Sequence, residues 1–422
     1  MRILPTDKLL KIAFKNVFRN KRRTLLTLGV LIAGGAGLIV MGGYFENLMH
    51  NLGEKIIHAQ TGHLQIDLKN YYKLGVTDPL GYLMQDSEDV RRKIESVPHV
   101  MFTVPRLSFS GMISTDKTSM AVSINGTDPF AENRMGSFMA SNAKIPSIAI
   151  KEGRELDPAH KEEILLGVGL MKALDLKLGD WVMLLTTREE GAVDGNRFRV
   201  VGVFETVMRE SDNRSVKINV AAAQGMLGAP GKLHSLQAVL DKTENTEAAR
   251  KAVVAALGGK DSAFEVLTWE EMSAYYRQGK ELFRKIFVVI TLIFGVVFFF
   301  SAGNSVSMSL MERTREFGTM MAIGNSRSAI LFVILLETLV LGVIAGALSL
   351  VCGVGLAKII TAIGIEMPPT PNASTGTIAV ISVTAPLLLK SFFLTVVSAF
   401  LASVPPAYRT TKIRIVEALG YV

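Results

Sequence analysis

One membrane-length apolar run lies near the start of this chain, three more crowd its last third, and residues 46–284 between them contain none. Residues 24–45 carry no charge, and at about 1.5 Å per helical residue they cover the roughly 30 Å hydrocarbon core. The pattern predicts transmembrane helices over 24–45, 285–310, 328–357 and 385–406. An even number of crossings puts both termini on one side. Arg2, Lys8, Lys11, Lys15, Arg19, Lys21, Arg22 and Arg23 precede the first span, Arg313, Arg315 and Arg327 separate the second from the third, and Arg409, Lys412 and Arg414 follow the last. Short basic segments stay inside, so both termini are expected in the cytoplasm and the long polar stretch outside it. The expected fold class is an α-helical membrane protein with four transmembrane helices plus a large α+β extracytoplasmic domain on helical stalks, in the cell's inner (plasma) membrane.

The net charge of +8 does not point to nucleic acid. Most of the basic excess is juxtamembrane, where anionic headgroups attract Lys and Arg. Within residues 1–23, Leu10, Phe14, Val17 and Phe18 share one helical face and Lys8, Lys11 and Lys15 another, which suits a helix lying in the cytoplasmic headgroup layer. The alternative is that these residues simply begin the first span. The apolar run is about twice as long as a signal-peptide core and has no clear Ala-x-Ala site, so it reads as an uncleaved anchor. The single cysteine, Cys352, sits in the third span, and the external domain must therefore hold together through its core.

Phe45, Leu48, Met49, Leu52 and Ile56 continue a helical period beyond the first span, and Met272, Tyr275, Tyr276, Leu282, Phe283 and Ile286 do the same ahead of the second. Both spans are expected to extend into a stiff stalk; the alternative is two separate domain helices near the bilayer. Between them, residues 63–68, 101–110, 119–125 and 197–204 read as strands, and 168–174, 221–227 and 247–257 as helices. Residues 125–129 and Asp194-Gly195-Asn196 are expected at strand connections.

Sites for chemistry within the chain are not apparent. No GxxxxGK[ST] loop occurs, since Gly231-Lys232, Gly259-Lys260 and Gly279-Lys280 lack both the upstream glycine and the following hydroxyl residue. HExxH, CxxC and GxSxG are missing too, and the six histidines have no metal-ligand spacing. Ser301, Ser305 and Ser309, with Asn304 beside them, have no histidine or carboxylate in their span, so helix-to-helix hydrogen bonding is the expected role of the stripe. The chain is expected to be non-catalytic and to bind no cofactor itself, so that if ATP drives it another chain hydrolyses the ATP.

The sharpest segment is residues 311–327. Glu312, Arg313, Arg315 and Glu316 form a charged cluster, Phe317, Met320, Met321 and Ile323 are apolar, and Gly324-Asn325 breaks the helix. A short cytoplasmic helix with exposed apolar residues beside charges is something a soluble partner could grip. A solvated loop with a helical turn is the plainer alternative. Glu312-Arg313, Arg315-Glu316-Phe317-Gly318, Ala322-Ile323-Gly324, Ile330 and Glu337 resemble the signature of FtsX-like permease domains, the family of macrolide-exporter and lipoprotein-releasing permeases. Asn16 with residues 19–24 resembles the family's entry to the first span, and residues 61–66 resemble the first domain strand of lipoprotein-releasing members. Gly167, residues 178–180 and 200–204, and Pro405-Pro406-Ala407 with Arg409 follow the family's order.

The resemblance implies a dimer of permeases, with itself or a homologue, each docked through a coupling helix at 311–327 on a separate cytoplasmic ABC ATPase that binds ATP and Mg²⁺. On this reading Glu312, Arg313, Arg315, Glu316, Phe317, Gly318, Ala322 and Gly324 serve ATPase coupling. Glu337, a costly charge inside an apolar run, is expected to pair with Arg313 or Arg327 and anchor the coupling helix. Gly342, Gly346, Ser349 and Gly353 allow close helix approach, within one subunit or across a dimer. The expected function is mechanotransmission from ATP hydrolysis to the external domain, for release of a lipoprotein cargo to a periplasmic carrier. The alternatives are efflux of small molecules or peptides with a periplasmic adaptor, regulation of an external cell-wall hydrolase, and an ATP-independent receptor or scaffold.

Overall fold

The computed structural model describes residues 21–75, 78–85, 87–140, 149–188, 190–206, 209–368 and 377–419. The surface helix expected within residues 6–20 lies outside the described residues. The chain divides into two compact units, one from Met1–Met49, Gly279–Met367 and Ile378–Val422, the other from His50–Gln278 and Pro368–Thr377.

Helix α1 (Lys21–Ile56) runs without a break through the first apolar segment and the periodic residues after it. It loosens into a π-turn at Ile57–Thr61 and ends at Gly62, whose φ of 63° is open to glycine at little cost. The first strand follows at once.

The domain is built on a ten-stranded sheet. Its strands are β1 (Leu64–Leu68), β2 (Val100–Ser114), β3 (Ser119–Thr127), β4 (Ala149–Gly153), β5 (Glu163–Gly167), β6 (Trp181–Thr187), β7 (Val193–Glu205), β8 (Ser215–Asn219), β9 (Ser235–Leu240) and β10 (Phe264–Thr268). They lie in the order β10-β1-β9-β2-β3-β8-β5-β7-β4, with β6 bridging β2 and β7. Two pairs, β3 with β8 and β5 with β7, are parallel. Helices α2 (Pro129–Ala140), α3 (Val220–Leu227) and α4 (Thr246–Ala256), with shorter ones such as Ser87–Glu95 and Val168–Ala173, give an irregular α+β order. Leu64, Ile66, Leu107, Ile124, Leu166, Phe198, Val216 and Leu236 contribute to one contiguous core, which needs no disulfide.

Two expected strand connections take other forms. Residues 125–129 join β3 to α2, with the Asp128 carboxylate accepting from Phe130 N at 2.9 Å as a helix cap. Asp194-Gly195-Asn196 lies inside β7, paired with β6 through Leu185↔Gly195. Gly195 serves that pairing, because a Cβ there would come within 2.5 Å of Leu185 Cδ2. The tight turn falls earlier, where Arg188 N donates to the Ala192 carbonyl and Gly191 adopts φ 87°.

Helix α5 (Ala274–Glu312) carries the second apolar segment and the period that precedes it from Tyr275 as one element, while Met272 closes a separate turn at Trp269–Met272. Both long helices are therefore continuous through the segments that could have formed separate domain helices. Within the domain unit, Trp269 lies 4.6 Å ring to ring from Tyr276 and its indole covers Gly53, where a Cβ would approach it to 2.8 Å. Within the membrane unit, Phe45 and Phe283 stack at 4.9 Å. Helix α6 (Thr314–Ala322) is short; α7 (Arg327–Ile363) and α8 (Ala385–Thr411) are long and apolar, and α9 (Ile415–Leu419) closes the described chain. Among the described residues, four helices are thus long and apolar enough to cross a membrane.

The small-residue stripe on α7 points into its own bundle. A Cβ at Gly342 would meet Ala399 Cβ at 3.3 Å, one at Gly346 the Phe392 ring at 2.8 Å, and one at Gly353 the Ile39 side chain at 2.7 Å. Ser349 is fully buried, and a Cβ at Gly35 would sit 2.7 Å from its Cβ. Ser391 Oγ donates to the Gly35 carbonyl at 2.9 Å. Within the single chain these residues serve close helix packing.

Candidate coupling site

Helix α5 stops at Glu312 because Arg313 leaves the helical region, with φ −108° and ψ 10°, and the chain restarts as α6. Arg313 is also the hub of the site. Its Nη1 donates to Glu337 Oε2 on α7 at 2.8 Å and its Nε to Glu316 Oε2 on α6 at 3.1 Å. Its guanidinium stacks 5.0 Å from the Phe317 ring. The Arg313 and Glu337 side chains are only 13% and 14% exposed. Burial alone would lower the arginine's pKa, but Glu337 and Glu316 outweigh it and raise it, so the charge is fixed at any working pH. Arg327, the other partner open to Glu337, is exposed.

Apolar packing seats the same helix. Phe317 and Met321 are buried with Leu310, Ile330, Ile334 and Ala407, and α9 packs along α6. Gly324 turns the chain at φ 97°, and Ser326 caps α7 by accepting from Ala329 N at 3.2 Å. Arg23 at the start of α1 lies 3.1 Å from Glu312. Three of the long helices, α1, α5 and α7, therefore reach this junction through charged side chains.

These placements divide the eight candidate coupling residues. Arg315, Ala322 and Gly324 are exposed, and Glu312 and Glu316 are 45% and 40% exposed at the side chain. Phe317 and Gly318 are buried, a correction to the expectation of exposed apolar residues across the segment. Phe317 packs with Leu310 and Ile330, so in this chain Phe317 and Gly318 belong to the seated side of α6. Ile323, 75% exposed, is the apolar side chain offered outward. The α6 period hides this, since Ile323 follows the helix's last residue. Arg23 carries no local signal either, because its partner comes from a different span.

In the domain, the charged groups act on the fold. Glu132 on α2 is clamped between Arg106 and Lys217, the latter at 2.6 Å, with Thr127 Oγ1 donating at 3.1 Å. Burial raises its pKa but Arg106 and Lys217 reverse that and hold it well below the usual carboxylate range. His58 and His63 are buried structural residues: His63 Nδ1 accepts from Leu240 N at 3.1 Å, and burial lowers its pKa to about 4. No group of His, Cys, Asp or Glu among the described residues could hold a metal ion.

A MacB-like periplasmic core domain matches residues 24–256, more than half of the chain, and an FtsX-like permease C-terminal region matches 286–415, which contains α6 and Glu337 of the coupling site. The chain belongs to the MacB-like, FtsX-like permease family. Among its relatives, the uncharacterized ABC transporter permease MJ1507 of Methanocaldococcus jannaschii is 26% identical, covering 86% of this chain and 87% of that one. The lipoprotein-releasing system transmembrane protein LolC of Neisseria meningitidis is 21% identical over 78% and 76%. The macrolide export ATP-binding/permease protein MacB of Hyphomonas neptunium is 23% identical, over 86% of this chain and 55% of that protein. The chain is a membrane protein with, among its described residues, four helices long and apolar enough to span a bilayer and a sheet-containing domain that matches a MacB-like periplasmic core.

Proposed function

We propose that this permease is the membrane subunit of an ABC transporter, with a separate cytoplasmic ATPase docking on the exposed face of α6 and ATP and Mg²⁺ bound in that partner. The observation that carries the reading is the seating of α6. Arg313 locks it to α7 through Glu337, Phe317 plugs it into the bundle, and Arg315, Ala322, Ile323 and Gly324 face outward. A force on the tip is then delivered to α5 and α7 instead of bending a loose loop. Helix α5 is one element from Ala274 to Glu312, which suits transmission of a stroke to the domain.

Two permease subunits pair around the ATPases, with both termini of each in the cytoplasm of the inner membrane. The cargo is an acylated protein handed to a periplasmic carrier; support comes from the likeness of residues 61–66 to lipoprotein-releasing members and from LolC among the relatives. The exposed residues give a direct test. Arg315→Glu combined with Ile323→Asp leaves the Arg313 clamp intact and reverses or removes the outward contacts. Copurification of the ATPase with this variant should fall at least about tenfold, and full recovery with normal ATP turnover would refute the docking surface. A lipoprotein retained in the purified complex supports the cargo; a retained small hydrophobic compound instead supports efflux.

A further inference from the structure

Six strands of the domain close into a ring, running β2-β3-β8-β5-β7-β6 and back to β2. The ring has a gap between β5 and β7. Strand β7 pairs with β6 from Val193 to Arg199, whereas β5 joins it only from Arg199 onward, opposite Glu163. Residues 193–198 therefore have a ladder on one side and an open edge on the other. In an antiparallel pair, alternate residues turn both backbone groups toward the partner and those between turn them away. Val200 N donates to the Asp180 carbonyl at 2.9 Å on the β6 side, and Arg199 N to the Glu162 carbonyl at 2.8 Å on the β5 side. Gly195 and Arg197 share the parity of Arg199 and face the gap.

The two are treated differently. The Asp194 carboxylate accepts from Gly195 N at 2.8 Å, a local block of the kind that protects free edges. Arg197 N–H and C=O have no partner among the described residues. A cleft of about 580 Å³ runs along this stretch, with residues 196–198 on one wall and Ala222 and Gly225 of α3 on the other. The inner side is small and apolar: Phe198 is buried, and a Cβ at Gly225 would meet nothing within 4 Å. The outer side is positive. Lys161, Arg197 and Arg199 are exposed and have no carboxylate partner among the described residues, and Glu162 is the one carboxylate lining the cleft. The Arg197 guanidinium lies 5.6 Å from the Trp181 ring, which holds it on the outer face beside the opening.

We infer that this cleft binds an extended acidic peptide segment of a partner protein, which adds to the open edge of β7 as a further strand. Arg197 N–H and C=O supply the main-chain bonds, and side-chain contacts set the preference. Successive side chains of an added strand fall on opposite faces of the sheet. Those on the outer face lie beside Arg197 and Arg199 and are acidic; those on the inner face enter the space between Phe198 and Gly225 and are small. The preferred segment thus alternates acidic and small residues. The site is independent of α6, so it assigns the domain a peptide-binding role beyond the coupling reading.

Fluorescence polarisation of a dye-labelled, end-capped hexapeptide of alternating glutamate and alanine, titrated with the full chain in nanodiscs, tests this. The peptide should bind, and its lysine-alanine counterpart should bind at least about tenfold more weakly. N-methylation of one alternating set of its amides should weaken binding at least about tenfold and of the other set less than about threefold, because an added strand uses one edge. Gly225→Leu fills the cleft from a helix position with room for a side chain, and should weaken binding at least about tenfold without lowering the melting temperature. Arg197→Glu should weaken the glutamate peptide and strengthen the lysine one. A parent protein that does not bind the glutamate peptide would overturn the site. Equal affinities for the two methylated peptides, or full binding by Gly225→Leu, would overturn strand addition in favour of a positive surface only.

Discussion

Replacing Glu337 by Gln isolates the contribution of the ion pair to the coupling site. The carboxylate receives Arg313 at 2.8 Å with both side chains nearly buried, and breaking a buried pair by removing one partner costs about 3–5 kcal/mol. Arg313 keeps Glu316 at 3.1 Å and the Phe317 ring, which lowers the expected cost to about 2–3 kcal/mol. At about 1.4 kcal/mol per decade this changes the ratio of seated to unseated α6 roughly 30- to 150-fold. Thr314, 4% exposed at the first position of α6, reports the seat. In a Cys352→Ser, Thr314→Cys background, a water-soluble maleimide should label the Glu337→Gln protein faster by about that factor, while membrane insertion is unchanged. ATP hydrolysis in the complex should lose its coupling to the permease. The double variant Arg313→Met with Glu337→Met leaves no bare charge and should label more slowly than Glu337→Gln alone. A labelling rate within about threefold of the parent would refute the anchor, because a pair that costs so little to break cannot hold the helix against an applied force.

Three further outcomes test the rest of the fold. Asp67 is fully buried, its Oδ2 accepts from Gln65 at 2.9 Å, and burial, opposed by that bond and aided by Glu265, raises its pKa from 3.8 to about 7. A folded pKa above the unfolded one gives stability that is complete below about pH 4 and lost as pH rises to about 7, on the order of 4 kcal/mol; Asp67→Asn should therefore raise the domain's melting temperature at pH 8 and leave it unchanged at pH 4. Both tryptophans, Trp181 and Trp269, lie in the domain, so fluorescence melts of the full chain read it directly, and an equal shift at both pH values would contradict the assignment. Glu132→Gln should leave Arg106 and Lys217 facing each other and destabilise the domain by about 3–5 kcal/mol in the same melts; a loss below about 1 kcal/mol would mean the cluster is solvated. Gly35→Ala places a Cβ 2.7 Å from Ser349 Cβ whereas Gly29→Ala meets nothing within 4 Å, so the first should lower the thermal stability of the membrane unit by about 1–3 kcal/mol and the second should not; matched stabilities would show that α1 and α7 do not pack so closely.

The membrane spans and the charged coupling segment were legible because hydrophobic length and charge are local properties. The Arg313–Glu337 pair was legible for a related reason: a carboxylate within an apolar run has to find a cation, and few were in reach. The sheet was only half legible. β5, β8 and β9 are buried along their whole lengths, so they lack the two-residue alternation by which β1 (Leu64–Leu68) is legible. Asp194-Gly195-Asn196 misled because glycine served strand packing against Leu185 instead of a turn. Which face of α6 is buried depended on Leu310, Ile330 and Ala407 from three other helices, and no local period contains that information.

The Ser301 to Ser309 stripe shows how a membrane alters the meaning of an exposed residue. In water, an exposed Asn is unremarkable and an exposed Phe300 marks a partner; in lipid the two exchange roles, since a bare phenyl ring is solvated by acyl chains and a bare amide is not. Within the membrane, a side chain bare on the single chain therefore calls for a partner only where it is polar. Asn304, exposed on α5, meets that condition at membrane depth, while the many bare Val, Leu and Ile side chains on α5 do not. The apolar groove that Gly29, Ala33 and Gly37 line with Cys352 and Leu356 fails it as well: it presents almost no polar group, so acyl chains satisfy it fully and nothing there demands a protein.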